Sequence, residues 1–226
     1  MVLELVAYII TFLGASILNI AAGQPFSPVQ ILFINFLVNA PLGVTLGMDK
    51  EASGLMDREP RSRHSSIMTR GLMTTAGLVG LFMAVCTLAL ISYGTHHFGS
   101  VSVGTSMGVT AFSLLLIASA FQARSVTGTA LTIETFDNRN LNWTALAELL
   151  LAVLITQMDA MRIVLGTVQL TLRQWTLALL PAVVLFFLWE LGKLIARRRA
   201  EPTAAAMPAA SGSGRQEGVP GAPVAG

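Results

Sequence analysis

Six long apolar runs divided by short polar ones make up most of this chain. They run from Val2 to Ala22, Pro28 to Met48, Gly71 to Ser92, Gly104 to Phe121, Trp143 to Met161 and Trp175 to Ala196. A helix needs about 20 residues to cross hydrocarbon, and each run comes close to that length. The pattern therefore predicts an all-α fold, a polytopic membrane bundle of six transmembrane helices. GQPFS, at Gly23 to Ser27, is too short and too rich in turn residues to do anything but reverse the chain, so the first two helices should form an antiparallel hairpin. After Arg199 the composition shifts to Ala, Pro, Gly and Ser, which cannot bury enough apolar surface to fold. Residues 1–199 are thus expected to form the membrane domain and 200–226 a disordered tail.

The second run differs from the others. PVQILFINFLVNAPLGVTLG places Asn35 and Asn39 four residues apart, one above the other on a helix, with Pro41 just beyond. Proline has no N–H to offer the carbonyl of Leu37, and its ring presses on that carbonyl, so the helix should kink or unwind there. Two amides beside a freed carbonyl make a locus rich in oxygen, and in hydrocarbon such a locus needs a partner. Two partners fit. The amides could hydrogen-bond to other helices and lock them together, or Asn35, Asn39 and the Leu37 carbonyl could hold a cation. The adjacent Pro41 favours the cation, because transporters expose backbone oxygens where a helix breaks within the membrane.

Composition agrees with a membrane protein: 54% of the 226 residues are hydrophobic and 12% charged. The lone cysteine, Cys86, excludes an internal disulfide and a cysteine metal cluster, and reads as a small buried hydrophobe. The basic residues form no stripe interleaved with aromatics, which argues against nucleic acid as a partner. They report orientation instead. Lys50, Arg58, Arg61, Arg63, Arg70, Arg124, Arg139, Lys193 and Arg197 to Arg199 fall on one side, with Arg162 and Arg173 on the other. The positive-inside rule then places both termini in the cytoplasm of a cell whose plasma membrane holds the chain. The first run lacks the basic leader and processed cleavage site of a signal peptide, so it reads as a spanning helix.

Four acids lie in or near the runs. Glu4 sits in a first helical turn, where the dipole and headgroup water accommodate it. Glu148 lies deeper and is a secondary candidate for an ion or proton role. Asp159 with Arg162, and Glu190 with Lys193, have the i,i+3 spacing of local ion pairs. His96 and His97 are read as loop residues at the interface, since neighbours in sequence do not converge on one metal. No phosphate loop, HExxH motif or internal repeat occurs, which leaves no soluble catalytic unit, solenoid or inverted-repeat carrier to support.

PVQILFINFLVNAPLGVTLG followed by GLMDREPR resembles the sixth transmembrane helix and following loop of P-type cation-transporting ATPases of the calcium-pump type. Their pattern is PxQxLWxNLxxDxxPAxALG and then a Met-Asp/Glu-Arg-Pro-Pro-Arg box. GASILNIAAGQPFSPVQ is similar to the hairpin between their fifth and sixth helices, and TLRQWTLALLPAVVLFFLWELGKLIARR to their tenth. The likeness covers Val2 to Arg199, the family's last six helices.

The resemblance implies cation transport driven by an aspartyl-phosphate cycle. It places Asn35 on the family's ion-coordinating asparagine and Asn39 where calcium pumps have an aspartate. Val38 replaces a threonine, and the usual acids of the fifth and eighth helices fall near Phe12 and Leu116, both apolar. Fewer negative oxygens point away from tight calcium binding and towards a monovalent ion, a proton or an altered stoichiometry. DKTG, TGE and GDGxND are missing, so the chain alone is expected to be no enzyme and to hold no cofactor. ATP and Mg would act through domains it lacks, on a separate polypeptide if the pump is split. The expected partners are the lipid bilayer, a cation and that catalytic half. Two other readings stay open: an orphan or accessory membrane protein without transport of its own, and a passive channel or carrier.

Overall fold

A computed structural model describes residues 2–48, 70–123 and 139–205, with side chains of Arg70 and of residues 196–205 left aside. Every regular element among them is helical. In chain order these are α1 (Val2–Ile17), a 3-10 turn (Ile20–Gly23), α2 (Pro28–Phe33), a π segment (Ile34–Asn39), α3 (Ala40–Gly47), α4 (Arg70–Phe98), α5 (Val101–Ala123), α6 (Arg139–Gln157), α7 (Asp159–Leu165) and α8 (Leu172–Ala205).

Four helices are long and apolar enough to cross a membrane: Pro28–Gly47, Gly71–Phe98, Val101–Ala123 and Leu172–Ile195. The first and fifth expected spans are weaker. Helix α1 is apolar but ends at Ile17, well before Ala22, because the backbone turns left-handed at Asn19, Ala21 and Ala22. Helix α6 begins at Arg139, earlier than expected, and its Arg139, Asn140, Asn142 and Glu148 lower its hydropathy. It also stops at Gln157. Met158 is extended, with φ −93° and ψ 123°, and a separate helix α7 follows.

The turn folds back on the first helix: Tyr8 and Phe12 both meet the ring of Phe26, with centroids 6.2 Å apart in each case. The body of α1 packs mainly on α4. Ser27 caps the returning helix. Its hydroxyl accepts from the Gln30 N–H while the Gln30 side chain accepts from the Ser27 N–H, a reciprocal box with Pro28 in the first helical position.

The bundle is centred on α5, not on the run bearing the asparagines. Phe112, Met107, Val109, Ala111 and Leu115 are fully buried on it, and α4, α6 and α8 pack around it. Helix α4, which its composition marks as a lipid-facing helix, is held between two neighbours. Its Gly80 admits Val6 and the backbone of α1, and its Gly94 lies against Gly104 of α5. Leu78, Leu81 and Val85 face outward on its other side. Small residues let helix backbones close in where lipid supplies no hydrophobic drive between them.

The last helix opens on a second reciprocal box, Thr171 with Gln174, and continues to Ala205 without stopping at Pro181. Residues 206–226 of the expected tail and the basic loop between Asp49 and Thr69 lie outside the described residues.

Candidate functional site

Within the returning helix, the six residues Ile34–Asn39 wind as a π-helix. The N–H of Ala40 donates to the carbonyl of Asn35, five residues back. Pro41 supplies the cause. It has no N–H for a carbonyl four back and its ring would strike that carbonyl, and one wide turn relieves both problems. The sequence predicts a kink or an unwound stretch at this place; the structure instead keeps the helical path and changes the hydrogen-bond register. Such wide turns inside α-helices concentrate at functional sites.

The π turn sets where each side chain points. Ile34 and Val38 are buried in the core, Phe36 and Leu37 are exposed, and Asn35 and Asn39 fall between, half-buried. Asn35 donates from Nδ2 to the Ile31 carbonyl, 3.0 Å away on its own helix, which leaves its amide oxygen to accept. Asn39 closes the π segment, one residue before Ala40 begins α3. Leu37, whose carbonyl is the expected backbone ligand, lies in the π segment with its side chain 47% exposed.

Glu4 lies in the first turn of α1, as expected, but not in touch with water: it is 5% exposed, and its Oε1 has no hydrogen-bond partner among the described residues.

Glu148 is more deeply buried than its place in the run suggested, at 2% exposure, and neither carboxyl oxygen has a described partner. Helix α6 carries it against α3 and α5, but no described contact joins it to Asn35 or Asn39. Phe12 and Leu116, in the places of two family acids, are packing residues. Phe12 lies edge-on to Phe26, and Leu116 belongs to the main core.

The two i,i+3 pairs form as their spacing predicts. Arg162 bonds to Asp159, and Lys193 lies 3.5 Å from Glu190. His96 and His97 correct the sequence reading in one respect. They occupy the last turn of α4 and not a loop, with His97 stacked on Tyr93 at 4.9 Å. No group of three or more His, Cys, Asp or Glu side chains that could hold a metal occurs among the described residues.

Residues 23–195 match the family model described as cation transporting ATPase, C-terminus. The chain belongs to this family. Among its relatives is a probable cation-transporting ATPase F of Mycobacterium tuberculosis (strain CDC 1551 / Oshkosh), 26% identical over 203 residues, covering 85% of this chain and 22% of the relative. A calcium-transporting ATPase of Bacillus subtilis (strain 168) is 26% identical over 181 residues, covering 80% and 20%. Calcium-transporting ATPase 1 of Lactococcus lactis is 30% identical over 102 residues, covering 45% and 11%. The chain therefore spans about a fifth of the length of the first two relatives. As a member of this family it is the carboxy-terminal membrane region of a P-type cation ATPase. The π turn, the two amides and Pro41 all lie inside the matched stretch, whereas Glu4 precedes it.

Proposed function

We propose that this chain holds the transported cation while domains outside it supply the ATP chemistry. Asn35, Asn39 and the Leu37 carbonyl are the ligands. The observation that carries this reading is the π turn at Asn35 to Asn39. It changes hydrogen-bond register beside two half-buried amides, about 17 Å along a membrane-length helix, counting 1.5 Å per residue from Pro28. Irregular backbone at that depth is tolerated where it lines a polar site. Asn35 also argues against a role as glue alone, because it bonds to its own turn and leaves its oxygen uncommitted.

In this reading all six apolar runs cross the plasma membrane, with α1 and α6 completed by polar residues near the interfaces. Both termini and the basic Asp49 to Arg70 loop then face the cytoplasm. There the loop meets the phosphorylation domain, on the same polypeptide or a separate one, and ATP and Mg act on that domain. By itself the chain hydrolyses nothing.

The test joins the chain to a polypeptide carrying DKTG and GDGxND and measures phosphorylation stimulated by cations. Asn35→Ala and Asn39→Ala should each raise the cation concentration needed by about tenfold, equal to 1.4 kcal/mol of binding. An unchanged cation dependence in both variants overturns the ligand assignment.

A further inference from the structure

The amide oxygen of Asn35 serves a cation only while the turn that carries it is held in place. We propose that Gln30 is the positioning residue of this site: it fastens the first turn of the Pro28–Gly47 helix to α7 and thereby fixes where Asn35 presents its oxygen. The inference rests on the reading above that Asn35 and Asn39 hold a cation.

A run of hydrogen bonds leads from α7 to the π turn. The Gln30 side chain is 3% exposed and uses both of its polar ends. Its Oε1 accepts from the Ser27 N–H at 2.9 Å, which completes the helix cap. Its Nε2 donates at 3.0 Å to the Leu165 carbonyl, 135 residues further along the chain. The next carbonyl on the helix, that of Ile31, accepts both the Ile34 N–H and the Asn35 Nδ2. The Ile34 N–H is shared with the Gln30 carbonyl, and from Ile34 onward the backbone winds as the π turn. Gln30 and Asn35 are five residues apart, about 7.5 Å along the axis. A rotation of the first turn would carry the Ile31 carbonyl, and the Asn35 amide bonded to it, to a new place.

Capping alone does not explain this arrangement. The box with Ser27 needs only the side-chain oxygen, which glutamate would supply equally well. The Nε2 donor is what requires glutamine. It meets one of the last carbonyls of α7, a group that lacks a partner within its own helix. The far side of this clasp is firmly anchored. Gly166, at φ 64°, ends α7 in left-handed backbone. Just beyond it the Thr167 hydroxyl donates to the Ile155 carbonyl of α6, and the Val168 N–H donates to Oγ of Ser106 on α5 at 2.9 Å. A cavity of about 330 Å³, lined by Gln24, Ser27, Thr105 and Gly166 among others, adjoins the clasp, so the hydrogen bond and not close packing holds the two elements in register here.

The experiment joins the chain to a polypeptide carrying DKTG and GDGxND, titrates Na+, K+ and Ca2+ separately, and reads both the half-saturating concentration and the maximal phosphorylation. Gln30→Leu opens the clasp from the cation helix. Gly166→Ala opens it from the other side: a β-carbon there would meet nothing within 4 Å, so its effect comes from the left-handed backbone beside Leu165. Ser27→Ala weakens the cap and leaves the clasp. Losing a group that orients a metal ligand lowers affinity about 10–100-fold, so both clasp variants should raise the half-saturating concentration by about tenfold or more with maximal phosphorylation kept. Ser27→Ala should leave it unchanged. Should Gln30→Leu not fold, Gly166→Ala decides. An unchanged value in the clasp variants, with Asn35→Ala still raising it, overturns the role of Gln30 and leaves the parent reading standing. An equal rise in Ser27→Ala also overturns that role, since any loosening of the helix start would then suffice. No change in Asn35→Ala or Asn39→Ala overturns both.

Discussion

The ammonium of Lys193 on α8 donates to Oε1 of Gln122 on α5 over 2.7 Å, although Lys193 is only 6% exposed. Gln122 in turn donates from Nε2 to the Phe186 carbonyl at 3.2 Å, and Glu190 lies 3.5 Å from the same lysine. Gln122 thus ties the central helix to the last helix at two levels, and the buried lysine supplies one of them. Lys193→Ala removes both of these lysine contacts, and breaking such a buried pair costs about 3–5 kcal/mol. The thermal unfolding midpoint in detergent should fall sharply. The double variant Lys193→Met with Glu190→Gln should recover much of the loss, because both charges go together.

Gly104 sits where α5 comes closest to α4. A β-carbon there would lie 2.4 Å from the Ile91 carbonyl oxygen and 2.5 Å from the Thr95 hydroxyl, and the first of these is backbone that cannot swing aside. Gly104→Ala should therefore push the two helices apart and lower stability by about 1–3 kcal/mol, the usual range for overpacking. Gly77 lies on an open face of α4, where a β-carbon would meet nothing within 4 Å. Gly77→Ala should raise stability by about 0.4–1 kcal/mol through lower entropy of the unfolded chain. Opposite signs from the same chemical change, read by thermal unfolding, check the packing of this pair.

The helices were legible because apolar length and turn chemistry are local. GQPFS marked the turn after α1, and the i,i+3 pairs Asp159–Arg162 and Glu190–Lys193 formed as spaced. What the pattern left open depends on packing between distant segments. It gave no sign that α5 would be the central helix, since a helix apolar on every side looks alike whether it meets lipid or protein. For the same reason Glu4 read as an interfacial acid until its turn of α1 proved to be buried. Pro41 announced a disturbance, but a kink, an unwound turn and a π turn all relieve the same clash, and the choice among them is made by neighbouring side chains.

Replacing Pro41 tests what the π turn is for. Pro41→Ala restores the missing N–H and removes the ring, so the helix can return to i,i+4 bonding through Asn35 and Asn39. Stability should rise by up to about 3 kcal/mol, the penalty of proline within a helix. Cation binding should fall at the same time, because the two amides turn relative to each other and the carbonyls re-enter the ladder. Backbone hydrogen exchange of residues 35 to 42, measured with thermal unfolding and cation titration, separates these effects. A variant that is more stable and binds cation as before would show that the wide turn serves only to seat the proline.

Glu148 is buried with both carboxyl oxygens lacking described partners, and no described contact joins it to Asn35 or Asn39. If Glu148 stands outside the cation site, its burial is a net cost. Glu148→Leu should then stabilise the chain by roughly 1–3 kcal/mol, the penalty of an unsatisfied buried polar group, and leave cation affinity unchanged. Thermal unfolding and cation titration of this one variant measure the two effects side by side. A loss of binding in Glu148→Leu with the fold intact would move Glu148 into the site.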